Sequence, residues 1–307
     1  MEPFTLKQLF QLANFDKEDE ITATCASLNG LHLALGTLKG KLFLINRLTG
    51  QLEQQFHPHA KRISCIHIRE GNSVLTSSND GTIHIQPLKK GVQAKRIDLK
   101  DQYEISCFCP VDPMSDTELI VGFGKGDIMY YKEGQNLLFQ ATTTRKNLYK
   151  EGNEGSILSV MFYRKIMVWA TAKMVRIRYY PSFEEGRNVC SIEAPTTRSE
   201  KLPEYLQNTS TVVRPNIIFM RSRQKIHDPH PNNITMITSW FNMVKLTELI
   251  YDPAKDKFIP SQQARKSILL DHSFIAGNSL FEVEGNKAKY LHLQFNYEKT
   301  EAGVKVQ

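Results

Sequence analysis

Histidine, cysteine and clustered carboxylates are the residues of this 307-residue chain that could ligate a metal or attack a substrate, and their spacing tests each possibility. His57-Pro58-His59 and His227-Asp228-Pro229-His230 hold closely spaced imidazoles, but proline stiffens both segments and no second ligand pair lies at a supporting distance along the chain. They read as loop histidines. The five cysteines, Cys25, Cys65, Cys107, Cys109 and Cys190, are odd in number and contain no CxxC pair, which argues against a disulfide framework and a four-ligand zinc module alike. Reduced, structural thiols are expected. VGFGKG, Val121 to Gly126, is glycine-rich, yet no Ser or Thr follows its lysine and a β pattern surrounds it, so it is read as a turn and not as a phosphate cradle. No GxSxG elbow occurs. Glu151, Glu154, Glu184 and Glu185 fall in turn-like segments, where acidic residues need no catalytic role. The expectation is a non-enzyme with no catalytic, cofactor-binding or metal residues and no cofactor.

Four cations, Arg214, Arg221, Arg223 and Lys225, are the remaining candidates. They stand among Pro195, Pro203, Pro215 and Pro229, so residues 195–230 are expected to be a long loop whose charges either face solvent or meet an acidic or phosphate-bearing partner. Overall, 39 Lys and Arg against 32 Asp and Glu leave a net charge of +7. The excess is scattered, without the basic stripe and stacking aromatics of a nucleic-acid binder, so no nucleic-acid partner is expected. Hydrophobic residues at 41% and charged residues at 23% are ordinary globular proportions, which excludes a mainly disordered chain. No run approaches the roughly 20 apolar residues of a membrane span, and the first residues lack the basic-then-apolar order of a secretory signal. A cytosol-facing protein is expected, in which the sequons at Asn208 and Asn233 carry no sugar.

The elements that position these residues repeat. LHLALGTLKGKLFLIN (31–46), NSVLTSSNDGTIHIQPL (72–88) and ELIVGFGKGDIMYYK (118–132) each read strand, turn, strand around Gly40, Gly81 and Gly126, spaced by 41 and 45 residues. A second series, ISCIHI from Ile63, ISCFCP from Ile105 and ILSVMF from Ile157, runs in phase with the first and places Cys65 and Cys107 at equivalent, buried positions. Fainter copies follow at 165–180 and 233–249, with Met174 and Met243 in place of the turn glycine. Apolar-polar alternation, as in Val175-Arg176-Ile177-Arg178, excludes helical solenoids of similar period, and Asp80-Gly81 predicts a two-residue hairpin turn. The fold predicted is all-β, a WD-repeat-like β-propeller of about six recognisable blades: 21–60, 61–100, 103–141, 155–195, 230–262 and 268–297. Residues 1–20 form an N-terminal segment, with 4–15 read as a closing strand or a short amphipathic helix. The propeller covers 21–297, and 298–307 are a C-terminal tail.

The order of these blocks along residues 30–295 resembles the amino-terminal propeller of the vacuolar protein sorting-associated protein forty-one family. LALGTLKGKLFLIN is similar to its first blade hairpin and SSNDGTIHI to its second. Glu154-Gly155 followed by Ile157-Leu158-Ser159-Val160 resembles the approach to its fourth blade, and VWATAKMVRIRYY, ITSWFNMVKL and DHSFIAGNSLF resemble later strands. The resemblance implies a subunit of the homotypic fusion and vacuole protein sorting (HOPS) tethering complex. Expected partners are a late-endosomal Rab GTPase and the other tethering-complex subunits, with peripheral association on late endosome, lysosome or vacuole membrane. Because the chain ends at Gln307, before the family's helical repeat and RING, it is expected to be either a truncated product or a reduced paralogue. Trp169 and Trp240 are expected to pack between blades. The competing readings are a generic WD-repeat interaction scaffold and an enzyme using a central channel, the latter disfavoured because no convergent polar set is visible.

Overall fold

The computed structural model describes residues 4–5, 18–27, 29–69, 71–89, 91–99, 103–135, 140–150, 152–193, 215–220, 233–240, 243–261, 267–269, 273–276, 279–284, 287–291, 297–300 and 303–306. Two compact units divide the chain, one of residues 9–162 and one of residues 1–8 with 163–307.

Within 9–162 three four-stranded antiparallel meanders follow one another. The first blade comprises Ile21–Ala26, His32–Thr37, Leu42–Asn46 and Leu52–Phe56; the second Ile63–Arg69, Ser73–Ser78, Thr82–Pro87 and Lys95–Asp98; the third Ile105–Pro110, Glu118–Phe123, Asp127–Gln135 and Ala141–Lys150. The third blade therefore reaches Lys150, beyond the predicted end at 141. Its outer strand is almost wholly polar and exposed until Leu148 and Tyr149, which hides the strand from a hydrophobicity pattern.

One joint is built three times in this unit. The first strand of each blade carries a bulge: the pairing slips between Ile21 and Ala23, between Ile63 and Cys65, and between Ile105 and Cys107. The residue left over is Thr22, Ser64 or Ser106, and its hydroxyl donates to the backbone carbonyl of the isoleucine that opens the next blade. Thr22 Oγ1 reaches Ile63 O at 2.7 Å, Ser64 Oγ reaches Ile105 O at 2.6 Å, and Ser106 Oγ reaches Ile157 O. A bulge re-aims a side chain, here from the sheet face toward the neighbouring blade. Room for the incoming isoleucine comes from a small residue on the second strand. A Cβ on Gly36 would lie 2.6 Å from Ile63 Cγ2, and one on Gly122 would lie 2.7 Å from Ile157 Cγ2. Apolar side chains complete the joint, with Ala34, Leu42 and Leu44 of the first blade packed in one cluster with Ile63, Ile66, Ile68 and Val74 of the second.

The turn at Asp80-Gly81 differs from the two-residue hairpin predicted, and the turns at Gly40 and Gly126 share its form. Gly40, Gly81 and Gly126 all have positive φ, of 80°, 80° and 97°. Their amides bond the carbonyls of Thr37, Ser78 and Phe123, so each glycine is the last residue of a three-residue loop. Within its loop, the Asp80 carboxylate accepts from the amide and the hydroxyl of Thr82. Cys107 is buried as expected, whereas Cys65 is only partly buried; its thiol reaches the carbonyl of Phe108 at 3.6 Å.

In the other unit, Ile166–Ala170, Met174–Ser182 and Glu185–Glu193 form a meander. Met174 is not a substitute for the turn glycine: Thr171 N bonds Met174 O as Thr37 N bonds Lys41 O, so Met174 matches Lys41 and the glycine is simply missing. Asn216–Met220, Ile234–Trp240, Met243–Asp252 and Lys257–Pro260 make the next sheet, with Ser267–Leu269 also paired to Met243–Asp252. A strand thus occupies 216–220, inside the span predicted to be loop. Its apolar run follows Pro215 and is flanked by arginines, and that punctuation masks the β signal. Ser273–Ala276, Ser279–Glu284 and Lys287–Leu291 pair in turn, and Phe4–Thr5 joins the edge of Lys287–Leu291, with Phe4 opposite Ala288. Tyr297–Thr300 and Gly303–Val306 form a hairpin where a tail was expected. Such pairing of the first strand with the last complete sheet is how propellers remove exposed edges. The fold is an all-β, WD-repeat-like propeller, and among the described residues no helix is long and apolar enough to cross a membrane.

Candidate functional site

Two constellations combine polar side chains in ways that bear on function. The first centres on His59, which precedes the second blade. Its ring is fully buried, with Nδ1 3.1 Å from Asp80 Oδ2 and 3.1 Å from Thr82 Oγ1, and Nε2 2.9 Å from Thr76 Oγ1. The two ring nitrogens thus bridge the Asp80 carboxylate and the Thr76 hydroxyl. Hydroxyl, imidazole and carboxylate in this order form the relay of a hydrolase. Thr76, however, is wholly buried, so no substrate reaches it. The network instead ties the approach to the blade to its 79–81 turn. Burial opposes ionisation of Asp80, but hydrogen bonds from His59 and Thr82 outweigh it and hold its carboxyl well below the usual carboxylate range. His57, the other half of the motif, bonds the carbonyl of Lys39 at 3.0 Å.

The second constellation lies in the unit containing residues 163–307. Three aromatic rings meet there: Tyr179 and Phe258 at 5.2 Å, Tyr251 and Phe258 at 5.1 Å, and Tyr179 and Tyr251 at 6.3 Å between centroids. Both phenols donate to one carboxylate oxygen, Asp256 Oδ1, from 2.9 Å for Tyr179 and 2.7 Å for Tyr251. Arg187 Nη1 donates to the Asp256 carbonyl at 2.6 Å and to Oδ2 at 3.2 Å. The hydrogen bonds from Tyr251 and Tyr179 lower the pKa of Asp256, while burial and the bond to Asp256 raise that of Tyr179. A cleft of about 210 Å³ opens beside the rings, lined by Tyr179, Tyr251, Phe258, Arg164 and Lys165.

Backbone strain gathers at this cleft. Arg164 (φ 47°), Lys165 (φ 65°) and Asp256 (φ 42°) are three of the four non-glycine residues with positive φ among those described. Arg164 and Lys165 form the two-residue turn between Ser159–Tyr163 and Ile166–Ala170, with the two left-handed residues that Asn-Gly ordinarily supplies. Each such placement costs of order 1 kcal/mol. Asp256 is held in place by its phenol and guanidinium partners. Both cations of the Arg164-Lys165 turn are exposed.

Among the described residues no group of three or more His, Cys, Asp or Glu is placed to hold a metal ion. Burial pushes the Cys25 thiol up to about 11 and that of Cys109 well above its ordinary value, so neither is an activated nucleophile. Trp169 is fully buried between strands, and Gly126 of VGFGKG caps a blade turn. Arg214, Arg221, Arg223, Lys225, His227 and His230 lie outside the described residues. The cleft was missed in the sequence because its members are spread over nearly a hundred positions and carry no motif. The one local signal was a turn of Arg-Lys between apolar strands, with no Gly, Asn or Asp to form it.

A family model, Beta-prop_Vps41, described as the Vps42 beta-propeller, matches residues 6–202. No curated protein sequence matches. Among solved structures, the chain is similar to one in the crystal structure of the mitotic checkpoint complex, with 12% identity and a TM-score of 0.58 over 92% of this chain and 80% of that one. It is also similar to the RRP9 WD40 repeats, with 13% identity and a TM-score of 0.55 over 85% of this chain and 72% of that one. At such identities the structural likeness speaks for the fold alone, whereas the family match covers more than half of the sequence: the chain belongs to the Vps41 β-propeller family.

Proposed function

We propose that this protein is a non-catalytic membrane-trafficking adaptor, the propeller of a vesicle-tethering subunit acting in transport from endosomes or vesicles to the lysosome or vacuole. It binds a late-endosomal Rab GTPase and the other subunits of the tethering complex, and associates peripherally with the membrane through them. The family match over residues 6–202 carries this reading. The chemistry of the described residues supports it: the one hydrolase-like relay is sealed inside the second blade, and exposed turns and rims remain as the surface a partner can meet. Arg214, Arg221, Arg223 and Lys225 are the residues proposed to face the acidic partner surface.

The test is capture of the purified chain on an immobilised late-endosomal Rab loaded with a non-hydrolysable GTP analogue or with GDP. Retention by the GTP form, weakened when the four cations are changed to Glu, is expected. Equal or absent retention on both forms would favour a generic WD-repeat scaffold.

A further inference from the structure

The Arg164-Lys165 turn is built against its own backbone preference. Arg164 lies over the Tyr163 ring, 5.3 Å from its centroid, yet Asn-Gly makes the same turn without steric cost. Asp256, bonded to two of the lining tyrosines, is also left-handed and is held by Tyr179, Tyr251 and Arg187. Strain held at converging turns marks a place where side chains are positioned for something other than folding.

The cleft's chemistry is asymmetric. Asp256, bonded to the two tyrosines that line the cleft, already accepts both phenols and the Arg187 guanidinium, so these polar groups satisfy one another, and the buried Tyr179 and Phe258 border the space with ring edges. Arg164 and Lys165 line the same space with two adjacent positive charges. Its volume, about 210 Å³, falls below the roughly 300–1,000 Å³ typical of cofactor pockets and suits a single large side chain. We propose that the cleft docks a short acidic peptide segment. One aromatic or large aliphatic side chain inserts beside Tyr179, Tyr251 and Phe258, and flanking carboxylates meet Arg164 and Lys165. A second copy of this chain is a poor occupant because each carries a net charge of +7. Two cations on one turn also fall short of the clusters of 4–8 that read anionic lipid. The proposal is independent of the Rab reading, since it concerns a linear segment and not a nucleotide-dependent surface.

Selection of displayed random peptides on the immobilised chain tests it. Enriched peptides should carry Asp and Glu around one Phe, Tyr, Trp or Leu. The best of them, fluorescein-labelled, should lose roughly tenfold or more in affinity for the R164N/K165G variant, whose turn residues favour the same fold, and should weaken as salt is raised. Replacing the peptide's apolar residue by Ala should do likewise, and a Phe258→Ala variant should lose affinity with its charges intact. Enrichment of basic or purely apolar peptides would overturn the proposal, as would unchanged affinity of the acidic peptide for R164N/K165G. Binding of the wild-type chain to anionic vesicles, lost in the same variant while no peptide is enriched, would assign the cations to a membrane instead.

Discussion

Residues 21–162 and residues 163–260 build the same kind of sheet by different means. The first region repeats one joint, in which a bulged Thr or Ser donates to the next isoleucine's carbonyl. The series stops at Leu158, which stands where Thr22, Ser64 and Ser106 stand and has no hydroxyl to give. The turns at Gly40, Gly81 and Gly126 in the first region end on glycine at positive φ, whereas in the second region Arg, Lys and Asp take up left-handed conformations, the last of them held by long-range contacts to Tyr179 and Arg187. A backbone solution copied blade by blade needs only small residues at fixed places. A side-chain solution is made once and leaves the Arg164 and Lys165 charges at the surface. The contrast separates what maintains the propeller from what is available for recognition.

The sharpest way to break the first half of the comparison is Gly40→Ala. Its Cβ would lie 2.1 Å from the backbone carbonyl oxygen of His59, at a φ of +80°, so steric overlap adds to strain. A loss of about 3 kcal/mol or more is expected from a urea melt. Gly50→Ala is the control, because at φ +70° nothing lies within 4 Å of its Cβ; about 1 kcal/mol is expected. Asp80→Ala comes next, at about 2 kcal/mol near neutral pH, since it strands the buried His59 and Thr82. The pH dependence has a definite sign. Asp80 has a folded pKa below its unfolded value of 3.8, so its contribution is complete above that value and fades as pH falls toward the folded one. The gap between wild type and variant should therefore narrow below about pH 4. Ser64→Ala removes one latch and should cost about 1 kcal/mol by the same melt. A null effect would mean that apolar packing alone joins these blades.

Much of this organisation was visible in the sequence because the repeat is a backbone device with local spelling. Glycine between two apolar β runs marked the turns, and the phase of Ile63, Ile105 and Ile157 marked the equivalent strands of successive blades. What escaped were features set by partners distant in the chain. Ser64 and Ser106 looked like alternating polar residues of a strand; their role depends on a bulge that shifts register by one residue. The turn predicted as two residues at Asp80-Gly81 is a three-residue loop like those at Gly40 and Gly126, whose length is set by the pairing of the flanking strands. The strand Asn216–Met220 was obscured by Pro215 and neighbouring arginines. Tyr179, Tyr251, Asp256 and Phe258 signalled nothing singly, since their meaning lies in the geometry that brings two phenols and a guanidinium onto one carboxylate.

The smallest effect bears most directly on the claim that the second region holds strain for recognition: the thermal midpoint of the R164N/K165G variant against wild type. If Arg164 and Lys165 are kept at the expense of stability, Asn-Gly relieves two unfavourable φ angles and the midpoint rises by about 2 °C. A midpoint that falls would contradict the account, because it would make these two side chains part of what holds the meander together.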